Sequence, residues 1–219
     1  KIGNQEGALK KSIHGGKWMF LSTLFQQTIS LVSFPILARM LLPEDFGIIS
    51  LLFVEPNLLN LITTVGFEFT LIQSKENPKK YLNEAWTLNI LRTAALFIII
   101  FFSAPLIAGF FHLEKAIWAI RLSGIFLFIG GFANVAKLYF FKDIDFKKIF
   151  IRDALGSIFY AAISISLAVF YKSFWPLFFG YIGQYFSGTI ITYILHEYRP
   201  RLSFKFGKLK ELIGYSKWI

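Results

Sequence analysis

The sequence predicts an all-α integral membrane protein, and three observations lead to this fold class. Hydrophobic residues make up 55% of the 219 residues and charged residues only 16%, which is too apolar for an ordinary soluble domain. Apolar runs of roughly 20 residues, long enough for a helix to cross ~30 Å of hydrocarbon, recur along the chain. Runs such as "AALFIIIFFSAPLIAGFF" do not alternate between apolar and polar residues, so helices are expected to make the crossings.

The apolar runs predict a bundle of six transmembrane helices separated by short polar breaks. The expected crossings are 18–42, 46–73, 81–111, 116–141, 150–170 and 174–198. A cytoplasmic amino-terminal segment (1–17) is expected to precede this bundle (18–198), and a basic amphipathic connector (199–219) to follow it along the membrane surface. The first run is too long, and too polar at Gln26 and Gln27, for a removable signal peptide.

The distribution of basic residues predicts the orientation in the membrane, because short cytoplasmic loops retain lysine and arginine. Most of them fall at the amino terminus, in 75–80, in 137–152 and in 199–217, whereas the opposite side has only Arg39, Lys115 and Lys172. Both termini are therefore expected in the cytoplasm. The net charge of +10 follows from this asymmetry and from contact with anionic membrane lipids, so no nucleic-acid partner is expected.

Few residues offer soluble-enzyme chemistry. The sequence has no cysteine, and its three histidines, at positions 14, 112 and 196, have no metal-ligand spacing. The glycine pairs at 15–16 and 130–131 lack the Lys-Ser/Thr ending of a phosphate-binding loop. We therefore expect no metal, no cofactor and no enzymatic activity, and we interpret the glycine pairs as sites of flexibility and close packing.

Polar residues within the expected crossings form two stripes at helical spacing. The first stripe is Ser22, Gln26, Ser30 and Ser33, and the second is Asn57, Asn60, Thr64 and Glu68. Because unpaired polar groups are costly in hydrocarbon, the stripes favour two walls of one hydrated cavity. The alternative is hydrogen bonding that only holds the helices together, to which small residues on the sixth helix would contribute.

Two charged residues are expected near the membrane midplane. Glu55 lies about nine residues from the outer end of the second helix and Arg92 about eleven from the inner end of the third, at ~1.5 Å per residue. They could pair, whereas Arg39 and Arg121 lie nearer the outer ends, where long side chains can reach the interface. The candidate substrate-binding residues are Arg92, Glu55, Arg39, Arg121, Asn57, Asn60, Gln26 and Asn89.

The stretches "GGKWMFLSTLFQQTISLVSFPILARMLLPEDFGIISL" and "VGFEFTLIQ" resemble the amino-terminal half of a polysaccharide biosynthesis/export protein. The family that they resemble is the oligosaccharide flippase family, within the multidrug/oligosaccharidyl-lipid/polysaccharide exporter superfamily. The junction "ARMLLPEDFG" is similar to the branch that exports colanic-acid-like and teichuronic-acid-like polymers. The fold is expected to be similar to that of the lipid II flippase and of multidrug and toxin extrusion transporters.

This resemblance implies a function and a location. A lipid-linked oligosaccharide, usually on undecaprenyl diphosphate, would be moved across the bacterial cytoplasmic membrane by alternating access between two six-helix lobes. The chain would then be one lobe, and its partner the missing carboxy-terminal lobe of the same protein. Guanidinium donors suit a diphosphate best, and the only ones expected in this half are Arg92, with Arg39 and Arg121 as helpers.

Two functional alternatives remain open from the sequence. A cation-coupled small-molecule or drug exporter of the same fold would need a buried carboxylate, which Glu55 could provide. A membrane-embedded glycosyltransferase would need acidic residues in an outer loop, where Glu44 and Asp45 lie, but that loop has only a few residues. For the expected pair of Glu55 and Arg92, a switch that releases Arg92 to the substrate and a purely structural salt bridge are both possible.

Overall fold

The computed structural model describes residues 2–63, 81–112 and 114–205. These ranges are helical over most of their length and contain no strand, which confirms the all-α class. The α-helices are α1 (Ile2–Ala38), α2 (Pro43–Thr63), α3 (Leu82–Phe110), α4 (Ile117–Gly131), α5 (Leu138–Lys142), α6 (Phe146–Ala168) and α7 (Trp175–Leu195). Single turns of 3₁₀-helix, Glu114–Ala116 and Val135–Lys137, precede α4 and α5.

Three helical stretches in the described ranges are long and apolar enough to cross a membrane: His14–Ala38 of α1, all of α3 and all of α6. A fourth is formed if Glu114–Gly131 and Val135–Lys142, which meet at 71°, count as one broken span. The remaining helices, α2 and α7, have 21 residues each. Acidic residues interrupt α2, and tyrosine, glycine and glutamine dilute α7. That these two also cross the membrane, giving six crossings, stays a prediction.

The face of α3 that points away from the other helices is apolar. Its residues at a spacing of four are 74%, 78% and 79% exposed, namely Phe102, Leu106 and Phe110. The opposite face is fully buried and is built from Ile100, Ala104 and Ala108. A helix that exposes large apolar side chains and packs small ones inward is suited to a lipid environment. The chain is a multi-pass membrane protein.

Small residues bring α3 close to α4 and α6 close to α7. A Cβ added at Gly131 of α4 would collide with the Thr93 hydroxyl of α3. In the same way, a Cβ at Gly180 of α7 would collide with the Ser164 hydroxyl of α6, and one at Gly183 with Ile163. The prediction that small residues of the last helix contribute to interhelical packing is confirmed.

The predicted fourth crossing, 116–141, is wrong as one continuous helix. The chain ends α4 at Gly131 and turns by 71° before Val135–Lys137 and α5. Asn134 caps the new helical turn, because its side-chain Oδ1 accepts a hydrogen bond from the Ala136 N–H at 3.0 Å. The apolar run continues through this break without a proline, so hydropathy alone did not reveal it.

The junction between α1 and α2 has a local physical explanation. Pro43 occupies the first turn of α2, where its missing N–H costs nothing. The Asp45 carboxylate accepts a hydrogen bond from the Leu42 N–H at 2.9 Å and is only 8% exposed. Asp45 therefore closes the turn that joins the two helices, and the glycosyltransferase alternative loses one of its two acidic residues to a structural role.

After α7 the chain continues without helix or strand along the beginning of α3, and we call residues 196–205 the strap. The Asn83 side-chain oxygen accepts from the Tyr198 hydroxyl at 2.6 Å and from the Arg201 N–H at 2.8 Å. Ser203 donates through its N–H to the Thr87 hydroxyl and through its own hydroxyl to the Glu84 carboxylate, at 2.9 and 3.0 Å. Burial, followed by the charge of Glu84, raises the pKa of Tyr198, so its hydroxyl keeps the proton that it donates. The predicted connector has neither helix nor strand over 199–205, and its remainder, 206–219, lies outside the described residues.

Single cysteines at Lys142 and Lys172 are expected to react from opposite sides of the membrane. Both side chains are exposed, and the 23 residues of α6 between them span about 35 Å. Because these 219 residues contain no cysteine, each variant has one target within this part of the protein. In intact cells an impermeant maleimide should modify Lys172→Cys, and Lys142→Cys only after permeabilisation. The reverse pattern would invert the predicted orientation, and modification of both in intact cells would mean that α6 does not cross.

Candidate functional site

Arg92 lies inside the apolar helix α3, ten residues beyond its first residue Leu82. At ~1.5 Å per residue this places its backbone about 15 Å along the helix, or half of a typical ~30 Å hydrocarbon core. A charge at that depth is costly unless the protein solvates it. The residues that surround Arg92 are therefore candidates for a functional site.

Side chains of α2 and α3 solvate the Arg92 guanidinium. Its Nη1 donates to the Asn60 side-chain oxygen at 3.0 Å and to the Thr63 hydroxyl at 3.2 Å, and its Nη2 donates to the Asn89 side-chain oxygen at 3.1 Å. These three acceptors are neutral and orient the guanidinium plane, and Arg92 has a further interaction partner within the chain. We call Arg92, Asn60, Thr63 and Asn89 the arginine cluster.

Asn89 connects the arginine cluster to the break after α4. Its side chain is 6% exposed, and its Nδ2 donates to the Gly131 carbonyl at 3.2 Å. The helix break frees backbone carbonyls, and side chains of α3 and α7 satisfy them. The donors are Thr189 to Ile129, Asn89 to Gly131, and Tyr193 and Trp86 to Phe132. Irregular backbone at membrane depth is stable only with such partners, and it often borders the binding sites of transporters.

Gln26 lies at a different place, in a cavity of about 470 Å³ between α1, α2, α4, α6 and α7. Its Nε2 donates to the Ser22 hydroxyl of the same helix at 3.1 Å. Of the predicted α1 stripe, only Gln26 lines this cavity, and Ser30 is exposed. We call this space the interhelical cavity. Its other polar lining comes from Lys137, Arg152, Asp153, Gln184, Thr189 and Thr192.

The remaining predicted residues do not join the arginine cluster in the described structure. Arg39 follows α1 and is exposed, and Asn57 is also exposed, on α2. The Arg121 guanidinium lies 4.8 Å from the Trp118 ring centre and 5.3 Å from that of Phe101. Phe101 is nine residues beyond Arg92, about 14 Å along α3, so Arg121 lies at another level of the helix.

Part of the predicted site lies outside the description. Glu55 belongs to α2, but its side chain is outside the described residues, as are Thr64 and Glu68 of the predicted second stripe. The pairing of Glu55 with Arg92, and the binding roles of all eight predicted residues, therefore stay predictions.

Some site residues were not predicted. Thr63 shares Arg92 with Asn60 because it lies three residues further along the same helix face. Arg152, counted in the sequence only among the basic residues of the cytoplasmic side, also lines the interhelical cavity and forms an ion pair with Asp153 at 2.6 Å. The signal available in the sequence was the adjacent acidic residue, since an Arg-Asp pair inside a helix is unusual among apolar neighbours.

Chemically, the arginine cluster is suited to binding an anion. A guanidinium presents several N–H donors in one plane, which matches the oxygens of a phosphate or carboxylate. The amide and hydroxyl oxygens of Asn60, Thr63 and Asn89 are neutral acceptors, so an anion can compete with them for those donors. No group of three or more potential metal-binding side chains occurs in the described part of the chain.

The fold and the partly buried arginine cluster together define a multi-pass helical membrane protein with a charged group within an apolar helix. The family model described as "Polysaccharide biosynthesis protein" matches residues 36–219. The chain belongs to this family, which confirms the resemblance found in the sequence.

Curated relatives of the chain carry related names. The chain is 27% identical to the teichuronic acid biosynthesis protein TuaB of Bacillus subtilis, over 71% of this chain and 33% of the relative. It is 22% identical to the lipopolysaccharide biosynthesis protein WzxC of Escherichia coli, over 96% and 43%. It is also 21% identical to the succinoglycan biosynthesis transport protein ExoT of Rhizobium meliloti, over 91% and 40%. The chain thus spans between a third and about two fifths of the length of these relatives. No solved structure matches it.

Proposed function

We propose that the chain forms one lobe of a flippase that moves a lipid-linked oligosaccharide across the bacterial cytoplasmic membrane, and that Arg92 binds the diphosphate of this lipid. The observation that carries the proposal is the guanidinium of Arg92, held inside an apolar helix by three neutral oxygen acceptors. Arginine retained at this depth is favoured where a substrate anion has to pass.

The family supports the chemistry of the substrate. Relatives named for teichuronic acid, succinoglycan and lipopolysaccharide differ in their polymers. The family resemblance implies a polyprenyl diphosphate anchor common to such glycans, and in our proposal a residue that binds this anchor serves them all. The arginine cluster is suited to that common part, because it recognises oxygen geometry and charge rather than a particular sugar.

In the proposed mechanism, the helix break after α4 is a place where the lobe can change shape during transport. In our proposal, six crossings form the lobe and a second lobe closes against it, with α1 and α2 facing the path between them. Asn89 bonds both to Arg92 and to the Gly131 carbonyl at the break, so a change at the guanidinium reaches the helix junction directly. Alternating access would use this connection.

The proposal is tested by reconstituting the full-length protein in vesicles with radiolabelled lipid-linked oligosaccharide. Impermeant periodate oxidises only sugars on the outer leaflet. With the protein present, nearly all of the label should become oxidised, because flipping brings the inner half outward. Vesicles with heat-denatured protein should stop at the outer half. If native protein also stops there, under conditions in which it binds the same lipid, the proposed function is wrong.

A further inference from the structure

The interhelical cavity has an aromatic wall that the arginine cluster lacks. Phe53, Tyr181 and Tyr185 all line it. The Phe53 and Tyr181 ring centres are 4.2 Å apart, and Phe126 stacks on Phe53 at 5.1 Å and on Tyr185 at 5.8 Å. These contacts fix the rings at their positions. The face of an aromatic ring is flat, apolar and electron-rich. It therefore suits the flat side of a sugar ring, where the C–H groups lie.

Facing this wall, the cavity carries groups that both donate and accept hydrogen bonds. Gln184 is half-buried, and its carboxamide makes no hydrogen bond within the described residues. Gln26 uses its Nε2 toward Ser22, which leaves its carbonyl oxygen available. Because a carboxamide offers one acceptor and two donors, these two side chains match hydroxyl groups, which also donate and accept.

The charged lining groups of the cavity already have partners. Arg152 donates through Nε and Nη2 to the Asp153 carboxylate at 2.7 and 2.6 Å. Lys137 also has an interaction partner within the chain. Because Arg152 and Asp153 neutralise each other, Asp153 offers little net charge to a small cation, and Arg152 offers little to a strongly anionic group. The lining therefore favours a polar ligand with many hydroxyl groups over a small ion.

The cavity adjoins the arginine cluster through neighbouring residues of α4. Gly130 lines the cavity, and the carbonyl of Gly131 accepts the hydrogen bond from Asn89. In a lipid-linked oligosaccharide the diphosphate and the first sugars are likewise covalent neighbours. The volume of about 470 Å³ lies within the usual range of small-ligand pockets, roughly 300–1,000 Å³.

We propose that the interhelical cavity binds a sugar unit of the transported glycan, with the aromatic wall contacting the ring and Gln184 and Gln26 bonding its hydroxyls. This inference rests on the proposed function and adds a glycan subsite to it. The arginine cluster then binds the part common to all substrates, and the cavity provides the preference for one glycan.

The test fills the cavity without disturbing the fold. A Cβ at Gly188 meets nothing within 4 Å, and Gly188 lines the cavity, so Gly188→Leu should place its side chain in the space of the sugar. Gly109→Leu is the matched control, because a Cβ at Gly109 of α3 also meets nothing within 4 Å and Gly109 lies away from the cavity. Gln184→Ala is a second variant, which removes the carboxamide together with the Cγ methylene.

Native mass spectrometry of the full-length protein should compare two probes: undecaprenyl diphosphate, and the lipid-linked oligosaccharide extracted from the cells that carry this protein. Gly188→Leu and Gln184→Ala should weaken binding of the oligosaccharide lipid about tenfold or more, the loss expected when hydrogen bonds and fit are removed. Both variants should keep the wild-type affinity for undecaprenyl diphosphate, and Gly109→Leu should keep the wild-type affinity for both probes.

The outcomes separate this inference from the proposed function. If Gly188→Leu binds the oligosaccharide lipid as tightly as wild type, or if wild type binds both probes equally, the cavity is not a glycan subsite. If wild type binds neither probe, the proposed function fails together with this inference. If both variants lose both probes to the same degree, the cavity acts on folding or on the anchor, and the glycan subsite is again excluded.

Discussion

Replacing Arg92 by lysine is expected to abolish polysaccharide export while the protein remains at normal abundance in the membrane. Lysine keeps the positive charge but presents it at one point, so it cannot reach Asn60, Thr63 and Asn89 together or grip a diphosphate through two parallel N–H groups. The expected loss is about 100-fold or more, or ~3 kcal/mol, as for other truncated charged contacts in desolvated sites. Surface polysaccharide per unit of membrane-inserted protein is the quantity to measure.

The matched control is Arg201, whose side chain is exposed and whose backbone N–H, rather than its guanidinium, bonds to Asn83. Arg201→Lys and Arg201→Ala should both export normally. A purely structural role for Arg92 makes a different prediction: Arg92→Lys would keep most of the export, and any loss in Arg92→Ala would follow loss of protein. Wild-type export from normally inserted Arg92→Ala would exclude a role in substrate binding.

Replacing Gly131 by alanine is expected to destabilise the protein by about 1–3 kcal/mol, the usual cost of overpacking. The new Cβ would collide with the Thr93 hydroxyl on the facing side of α3, and Thr93 is only 2% exposed. The midpoint of thermal unfolding in detergent should therefore fall. Because Asn89 bonds to the Gly131 carbonyl, the same substitution should also weaken substrate binding at the arginine cluster.

Two further variants check that the collision is the cause. Thr93→Ala together with Gly131→Ala should recover much of the lost stability, since the hydroxyl that collides is removed. Gly109 lies on α3, as Thr93 does, and a Cβ there meets nothing within 4 Å. Gly109→Ala should therefore be neutral or stabilising by about 0.5–1 kcal/mol, because alanine has a higher helix propensity than glycine. Equal destabilisation by Gly109→Ala and Gly131→Ala would contradict the packing explanation.

Apolar runs were sufficient to predict the long helices. The third expected crossing, 81–111, is α3 (Leu82–Phe110), and the fifth, 150–170, largely coincides with α6 (Phe146–Ala168). The break after Gly131 could not be predicted in the same way, since 128–136 contains no proline and has Asn134 as its one polar side chain. Tertiary contacts stabilise the break, because side-chain donors from α3 and α7 replace the lost helical hydrogen bonds.

The arginine cluster could be predicted in part because a charge in an apolar run is conspicuous. Arg92, Asn60 and Asn89 were expected as site residues, and the structure brings them together. The interhelical cavity could not be predicted, because its lining comes from five helices far apart in the sequence. Polar residues such as Gln184 stand singly in their helices, and no helical spacing connects one helix to another.

The strap has a consequence for the order of events during protein synthesis. Ser203 and Arg201 bond to Thr87, Glu84 and Asn83 across 116 to 119 residues of sequence. Thr87 and Glu84 are 0% and 3% exposed once the strap is in place. At about 5–20 residues per second, the ribosome needs roughly 6–24 s to make the intervening chain.

During that interval the first turns of α3 are already made, but their polar side chains lack the strap. They must remain in contact with water or lipid headgroups until α7 is complete, so the end of α3 that carries Asn83 and Thr87 cannot sink fully into hydrocarbon early. The strap thereby makes the final seating of α3, and with it the alignment of Asn89 and Arg92, one of the last steps in the biogenesis of these helices.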